Sequence, residues 1–381
     1  GKMKTIRDFL RKHALLLLAA IVVLSVPAGV ALGKYVGSVT VTSGLKLTVD
    51  TKPVTNYTYR LKSGAFVRKS IKENFGDCTK IRFCRTPPDG ATVVQNVNLD
   101  NVNLGLEATD KIYLYKDSNT LYVTPNKADA VMVFNSNSSS MFGGTGGGLS
   151  VSEICFDDNA IDTSKVTDMK YMFAYCKKLS NINFGTSFKT TSVTNMQHMF
   201  SGCETLSNID LSSFNFSSVT NLSYLFDGCC ALTTIQFPAR VEPANDGNMS
   251  GMFVDCTSLI TLDLSMFYTN KVTKMYAMFS SCRNLTTIYA SDGFVIQAGC
   301  NTTNMFGGDA KTQCVSLVGG KGTKCTGKDE YWTGTYARID NPPDNPGYFT
   351  AAPGTSTTST FSATGTDAAA KGFGLTLDLA S

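Results

Sequence analysis

Histidine is nearly absent from this 381-residue chain, which contains only His13 and His198. A Ser-His-Asp triad, or a zinc site built on two or three imidazoles, therefore has little to draw on. The 12 cysteines include no Cys-x-x-Cys pair, which removes the usual thiolate metal sites, and Trp332 is the single tryptophan. Charge is sparse at 17% of residues, and the formal +4 comes from the amino end. Residues 1–33 hold five of the 34 basic side chains (Lys2, Lys4, Arg7, Arg11, Lys12) and one of the 30 acidic ones, Asp8, leaving 29 of each beyond them. A neutral chain has no long-range field to gather nucleic acid. Two glycine runs, Gly143-Gly-Thr-Gly-Gly-Gly148 and Gly319-Gly-Lys-Gly322, lack the Walker spacing ahead of Lys-Ser/Thr and read as loops. Asp157-Asp158 and Asp344 belong to no EF-hand ligand series. These absences lead to the expectation of a protein without cofactor, metal or catalysis; a carboxylate-based, glycan-active enzyme is the remaining enzymatic alternative.

What is abundant is repetition. Val166-Thr-Asp-Met-Lys-Tyr-Met-Phe173-Ala-Tyr-Cys176-Lys-Lys-Leu179-Ser-Asn-Ile182-Asn-Phe184 returns as Val193-Thr-Asn-Met-Gln-His-Met-Phe200-Ser-Gly-Cys203-Glu-Thr-Leu206-Ser-Asn-Ile209-Asp-Leu211. Three further copies place Phe226, Phe253 and Phe279 at the same point, and weaker ones flank them at Phe142 and Phe306. The phenylalanines are spaced by 31, 27, 26, 27, 26 and 27 residues. A fixed period of this size predicts a stack of repeats in which no unit can bury its apolar side alone.

Each repeat has two halves. Val-Thr-x-Met-x-x-Met-Phe-x-x-Cys spaces apolar groups as one side of a short helical segment would, and predicts one there. Leu-x-x-Ile-x-Phe/Leu ends in strict alternation and predicts a short strand. The motif Val-Thr-Asn-Met-x-x-Met-Phe-x-x-Cys-x-x-Leu resembles the BspA-like leucine-rich repeat family, also known for mycoplasma-lipoprotein-type repeats. The resemblance covers roughly residues 110 to 350, including Tyr336-Ala-Arg-Ile-Asp340 and Asn345-Pro-Gly-Tyr-Phe-Thr350, which look like the family's closing segment. It implies an α/β leucine-rich-repeat solenoid with a parallel β ribbon. It also implies a secreted or cell-surface bacterial protein that adheres to host matrix or mucin-type proteins, glycans or other bacterial surfaces.

In chain order, the basic residues at the start precede an apolar run from Ala14 to Leu32, the layout of an export signal, cleaved or retained as a membrane anchor. Residues 34–110 are expected to be β-rich, serving either as a cap or as a separate small domain, and a hairpin at Ile112–Tyr115 and Leu121–Thr124 is expected to lead into the repeats. The repeats proper are placed at 111–313, a cap carrying Tyr331, Trp332, Tyr336, Tyr348 and Phe349 at 314–350, and an Ala/Thr/Ser/Gly-rich linker with a terminal strand at 351–381. Strands at Leu45–Val49 and Leu375–Leu379 leave a structural alternative, a surface-filament subunit that self-associates by strand exchange.

Cys176, Cys203, Cys229, Cys256 and Cys282 all stand three residues after the repeat phenylalanine and are expected to line up inside as small hydrophobes. Cys78 with Cys84, and Cys314 with Cys325, are candidates for disulfides. His198 occupies a repeat slot held elsewhere by Tyr171, Tyr224, Gly251 and Ala277, which reads as a variable surface position. The candidate binding site is the outward strand face, formed by Asn181, Asn183, Asn208, Asp210, Thr234, Gln236, Thr261, Asp263, Thr287 and Tyr289, with Glu153 and Cys155 ahead of them. Short amides, hydroxyls and carboxylates in ranks suit a polar partner.

Overall fold

The computed structural model describes residues 58–87, 89–95, 112–126 and 130–307, together with shorter stretches at 35–41, 47–53, 317–319, 334, 337–339 and 347–353. The expected export segment, Cys314, Cys325, Tyr331, Trp332, Tyr336 and the strand expected at Leu375–Leu379 lie outside the described residues. Within them the chain is mostly strand and turn, the pairing is mainly parallel, and no sheet closes into a barrel.

The strand half of each repeat forms where the alternation predicts it. β9 (Glu153–Phe156) and β11 (Asn181–Asn183) pair in parallel, as do β12 (Asn208–Asp210) with β13 (Thr234–Gln236) and β15 (Thr261–Leu264) with β17 (Thr287–Ala290). In each pair the register matches like position to like position, so Ile154, Ile182, Ile209, Ile235, Leu262 and Ile288 all face inward.

The other half of the repeat is not helical. Its amides divide alternately between two jobs. Met169, Tyr171, Phe173 and Tyr175 donate to the carbonyls of Asn195, Gln197, Met199 and Ser201 in the next repeat, at 2.6–2.9 Å. Met172, Ala174 and Cys176 donate three residues back, to Met169, Tyr171 and Phe173. A helix would send every amide four residues back and keep every φ negative. Here two residues per repeat are left-handed: Tyr171 and Tyr175, His198 and Gly202, Tyr224 and Gly228, Gly251 and Asp255, Ala277 and Ser281, with φ between 51° and 70°. Left-handed conformers of non-glycine residues are unfavourable, and the hydrogen bonds to the neighbouring repeat hold them. Consecutive turns therefore replace the expected helical segment. They still direct valine, both methionines and phenylalanine inward.

The inward side chains form columns. Phe142, Phe173, Phe200, Phe226, Phe253, Phe279 and Phe306 stack ring on ring, with centroids 5.2–5.9 Å apart and planes within 15°. All seven are fully buried, each contributing about 1.5–3 kcal/mol by leaving water. Beside them run Cys176, Cys203, Cys229, Cys256 and Cys282, also fully buried and unpaired. Each thiol donates to a phenylalanine carbonyl one repeat earlier, namely Phe142, Phe173, Phe200, Phe226 and Phe253, at 2.8–3.3 Å. The thiols are thus engaged as hydrogen-bond donors and not as disulfides.

Polar side chains stitch the same neighbours. Asp168, Asn195, Asn221, Asn248 and Asn301 each accept, through Oδ1, the amide two residues on, closing a turn at the start of the half-repeat. The buried hydroxyls of Thr163, Thr190 and Thr269 each donate to one carbonyl of the next repeat and accept one of its amides.

The stack begins earlier than residue 111. β3 (Thr58–Arg60) and β4 (Lys80–Phe83) pair in parallel with β8 (Val131–Val133) and β9, so residues 58–84 form the first unit. Its turn half is a true helix, α1 (Gly64–Asn74), which buries Gly64, Val67, Ser70 and Ile71 along one side. This replaces the purely β-rich reading of that stretch, and ties residues 58–84 to the repeats instead of to a separate domain. The expected hairpin, β6 (Ile112–Asp117) with β7 (Thr120–Pro125), is present; β7 pairs with the outer edge of β4 and covers it. Cys78 and Cys84 are free and stand at either end of extended β4. Six residues of extended chain span about 20 Å, beyond disulfide reach, so the expected small loop does not close. β1 (Tyr35–Val41) pairs antiparallel with β2 (Leu47–Pro53), which gives the strand expected at Leu45–Val49 a partner within the chain.

At the other end β18 (Phe349–Ala351) adds in parallel to β17. Tyr348 and Phe349 are fully buried against Phe306, at 5.2 and 6.1 Å, and close the phenylalanine column.

Candidate functional site

Because strand side chains alternate, the inward isoleucine of each repeat forces its two neighbours outward. The result is two ranks. The first runs Lys80, Glu153, Asn181 on one set of paired strands, then Asn208, Thr234 and Thr261, Thr287 on the next two. The second runs Arg82, Cys155, Asn183, then Asp210, Gln236 and Asp263, Tyr289. All ten predicted face residues lie in these ranks; Asn181, Asn183, Asn208, Asp210, Thr234, Gln236, Thr261 and Asp263 are exposed, and Thr287 and Tyr289 are partly so.

The ranks differ chemically along their length. At β4 the face is ionic: Lys80 meets Glu153 and Arg82 meets Asp157, each at 2.8 Å. The bond from Lys80 holds the Glu153 carboxyl below its usual range. Cys155 donates to Glu153 at 3.3 Å, and its partial burial together with that acceptor pushes the thiol up to about 12. A thiol so protonated is no nucleophile at neutral pH. Asp158 accepts the amide and hydroxyl of Thr186, at 2.7 and 2.8 Å, which lowers its pKa. The Asp157-Asp158 pair is thus engaged by protein groups. From 181 to 263 the strand positions carry amides, hydroxyls and two carboxylates, with no cation.

Not every face residue is equally available. Asn183, Asp210 and Asp263 accept the amides of Gly185, Ser212 and Ser265 at 2.8–3.0 Å, closing the turn after each strand. Their residue type is explained by that turn. The side chains of Thr234, Gln236, Thr261, Thr287 and Tyr289 make no hydrogen bond to protein among the described residues.

The residue pattern missed two features. Lys80 and Arg82 open the face, and the signal was the likeness of Lys80-Ile-Arg-Phe83 to Glu153-Ile-Cys-Phe156. The slot of His198 is also not a plain surface position. His198 is half-buried between Tyr171 and Tyr224, with centroids 4.8 Å away on either side and planes within 11°. Burial, and then the charge of Lys170, lowers its pKa. The repeat-to-repeat distance is itself a ring-stacking distance, so aromatic residues in this slot build a column.

Residues 136–237 and 241–315, a little under half of the chain, match the family model described as Mycoplasma protein of unknown function, DUF285. The repeat region matches a mycoplasma-type repeat family. The matched interval runs from the turn after β8 to just beyond Phe306, and so contains the phenylalanine column, the thiol column and most of the strand face. No curated protein and no solved structure gives a significant match.

Proposed function

We propose that the chain is a BspA-like leucine-rich-repeat solenoid, exported to a bacterial surface or secreted, that works by adhesion and not by catalysis. Its strand face would hold a polar partner: a host matrix or mucin-type protein, a glycan or another bacterial surface. The observation that carries this reading is the double rank of polar side chains from Asn181 to Tyr289, short and exposed as far as Asp263 and held in register by parallel strands. Such groups offer many hydrogen bonds, lose little side-chain entropy when held, and repeat at strand spacing. A repetitive polymer or an extended polar surface can engage them several at a time. The family match adds a surface-type repeat protein as context.

The test is a screen of the full chain against matrix proteins, mucins and glycans, followed by Asn181→Ala, Asn208→Ala, Gln236→Ala and Tyr289→Ala. Asn183, Asp210 and Asp263 are left intact because their substitution would disturb the turns they close. Weaker binding in these variants, with unchanged thermal unfolding, supports the strand face. A captured partner that binds all four variants as tightly as the parent removes it.

A further inference from the structure

α1 has two faces of opposite character. Gly64, Val67, Ser70 and Ile71 are buried, while Ala65, Arg68, Lys69 and Lys72, at i, i+3, i+4 and i+7, form the stripe facing away. That stripe makes one wall of a cleft of about 330 Å³ whose other wall is Gly146, Gly147, Gly148 and Leu149. Among the described residues, three cations and no carboxylate line it. Arg68 fixes the glycine wall by donating to the carbonyls of Gly143 and, at 3.1 Å, Gly147. Lys72 has no ion-pair partner among the described residues, and Lys69 reaches only Glu73 at 4.0 Å, with both side chains largely exposed.

The glycine loop contributes backbone in place of side chains. The amides of Thr145 and Gly146 donate to no protein group among the described residues, whereas those of Gly143, Gly144, Gly147 and Gly148 are all satisfied. Nothing lies within 4 Å of where a Cβ on Gly146 or Gly147 would stand, so the loop faces open space across from the cations. The run is thus a phosphate-loop lookalike by composition, and its partner is a basic helix face instead of a following Lys-Ser/Thr.

The geometry points to a second binding site, in this cleft, for an acidic saccharide that presents a sulfate or carboxylate to Lys69, Lys72 and Arg68 and its hydroxyls to the glycine backbone. The volume suits a small polar group. Among the described residues no aromatic ring lines the cleft to stack a nucleobase, which separates it from a nucleotide or single-stranded nucleic-acid site. The peptide groups of the glycine wall supply donors and acceptors, the mixture that sugar hydroxyls use.

The experiment is calorimetric titration of the full chain with a heparin-type sulfated hexasaccharide, a hyaluronan hexasaccharide that carries carboxylates only, and inorganic polyphosphate. Saturable one-to-one binding of a saccharide is expected, weakening with added salt. Lys69→Gln/Lys72→Gln together should weaken it roughly tenfold, the scale of two lost exposed charge contacts. Gly146→Glu, which fits the open space but puts a like charge in the cleft, should weaken it at least as much. Asn208→Ala and Gln236→Ala should leave it unchanged, which separates this site from the strand face. Binding of the sulfated sugar alone identifies a sulfate site, and binding of both identifies a site that accepts a carboxylate. Absence of saccharide binding, equal affinity in both cleft variants, or equally tight polyphosphate binding with the same dependence would overturn the proposal.

Discussion

The thiol column sets an alkaline limit on stability. Burial holds Cys176 and Cys282 near a pKa of about 12 and pushes Cys203, Cys229 and Cys256 up as well, against an ordinary value of 9.0. In the unfolded chain these thiols ionise once pH passes the ordinary value, while in the folded chain they keep their protons. Protons released only on unfolding favour the unfolded state, so the stability present below pH 9 is lost as pH rises toward 12. At about pH 10 each thiol contributes a loss of about 1–2 kcal/mol, and five independent thiols a loss on the order of several kcal/mol, comparable with the whole stability of many domains.

The assay is urea unfolding under reducing conditions at a series of pH values between about 7 and 10.5. Stability should be level to about pH 8 and then fall steeply. Cys203→Ala/Cys229→Ala should start lower, because two buried thiols and their bonds to the Phe173 and Phe200 carbonyls are gone, but should fall less steeply. Thiolate absorbance of the folded protein should account for none of the five below pH 10. A pH-independent stability over that range, or the same slope in the double variant, would refute the burial of ionisable thiols as the cause.

Three further outcomes follow from the contacts between repeats. Thr190→Val keeps the shape but removes a hydroxyl that serves the Asn215 carbonyl and amide, at 3.0 and 2.7 Å, and should cost about 2–3 kcal/mol in urea unfolding; Thr190→Ser should cost about 1 kcal/mol or less. Phe226→Ala empties the middle of the ring column, between Phe200 and Phe253, and should cost about 3–5 kcal/mol by the same measurement. Burial between Tyr171 and Tyr224, and then the charge of Lys170, lowers the His198 pKa, so the unfolded chain takes up a proton below its ordinary 6.5 more readily than the folded chain does. The melting temperature should therefore drop on acidification through that range, and His198→Gln should remove part of the drop.

How far the amino-acid pattern exposes this architecture depends on which physical constraint each residue answers to. The 26- and 27-residue period comes from stacking identical side chains, so the phenylalanine and cysteine columns could be read directly. The outward strand residues could be read because strand alternation has only two faces. The helical expectation failed because valine, methionine and phenylalanine at i, i+3 and i+7 lie on one side of consecutive turns as well as of a helix. Gly251 in the first left-handed slot and Gly202 and Gly228 in the second were the available signal of left-handed backbone, but Tyr171, Tyr224 and Ala277 in the first and Tyr175, Asp255 and Ser281 in the second concealed it. The first unit escaped notice because Ile81 follows Cys78 by three residues, where Ile209 follows Cys203 by six.

The same accounting separates structural from binding residues on the strand face. A parallel stack satisfies its backbone only if each turn is closed, and asparagine or aspartate closes it by lending one oxygen to the amide two residues on. Asn183, Asp210 and Asp263 are committed in this way, as are Asn195, Asn221 and Asn248 on the turn half. Their recurrence along the stack is therefore expected whatever the partner. Among the described residues, the side chains of Thr234, Gln236, Thr261, Thr287 and Tyr289 bond to no neighbouring turn or strand, and that of Asn208 bonds only to adjacent Ser207, at 3.2 Å. Folding leaves these side chains free to vary in size and polarity, so selection for a partner can act on them without cost to the stack. Specificity among proteins built on this repeat should accordingly concentrate in the first rank, and in the second-rank positions where the turn-closing residue has been replaced, as at Gln236 and Tyr289.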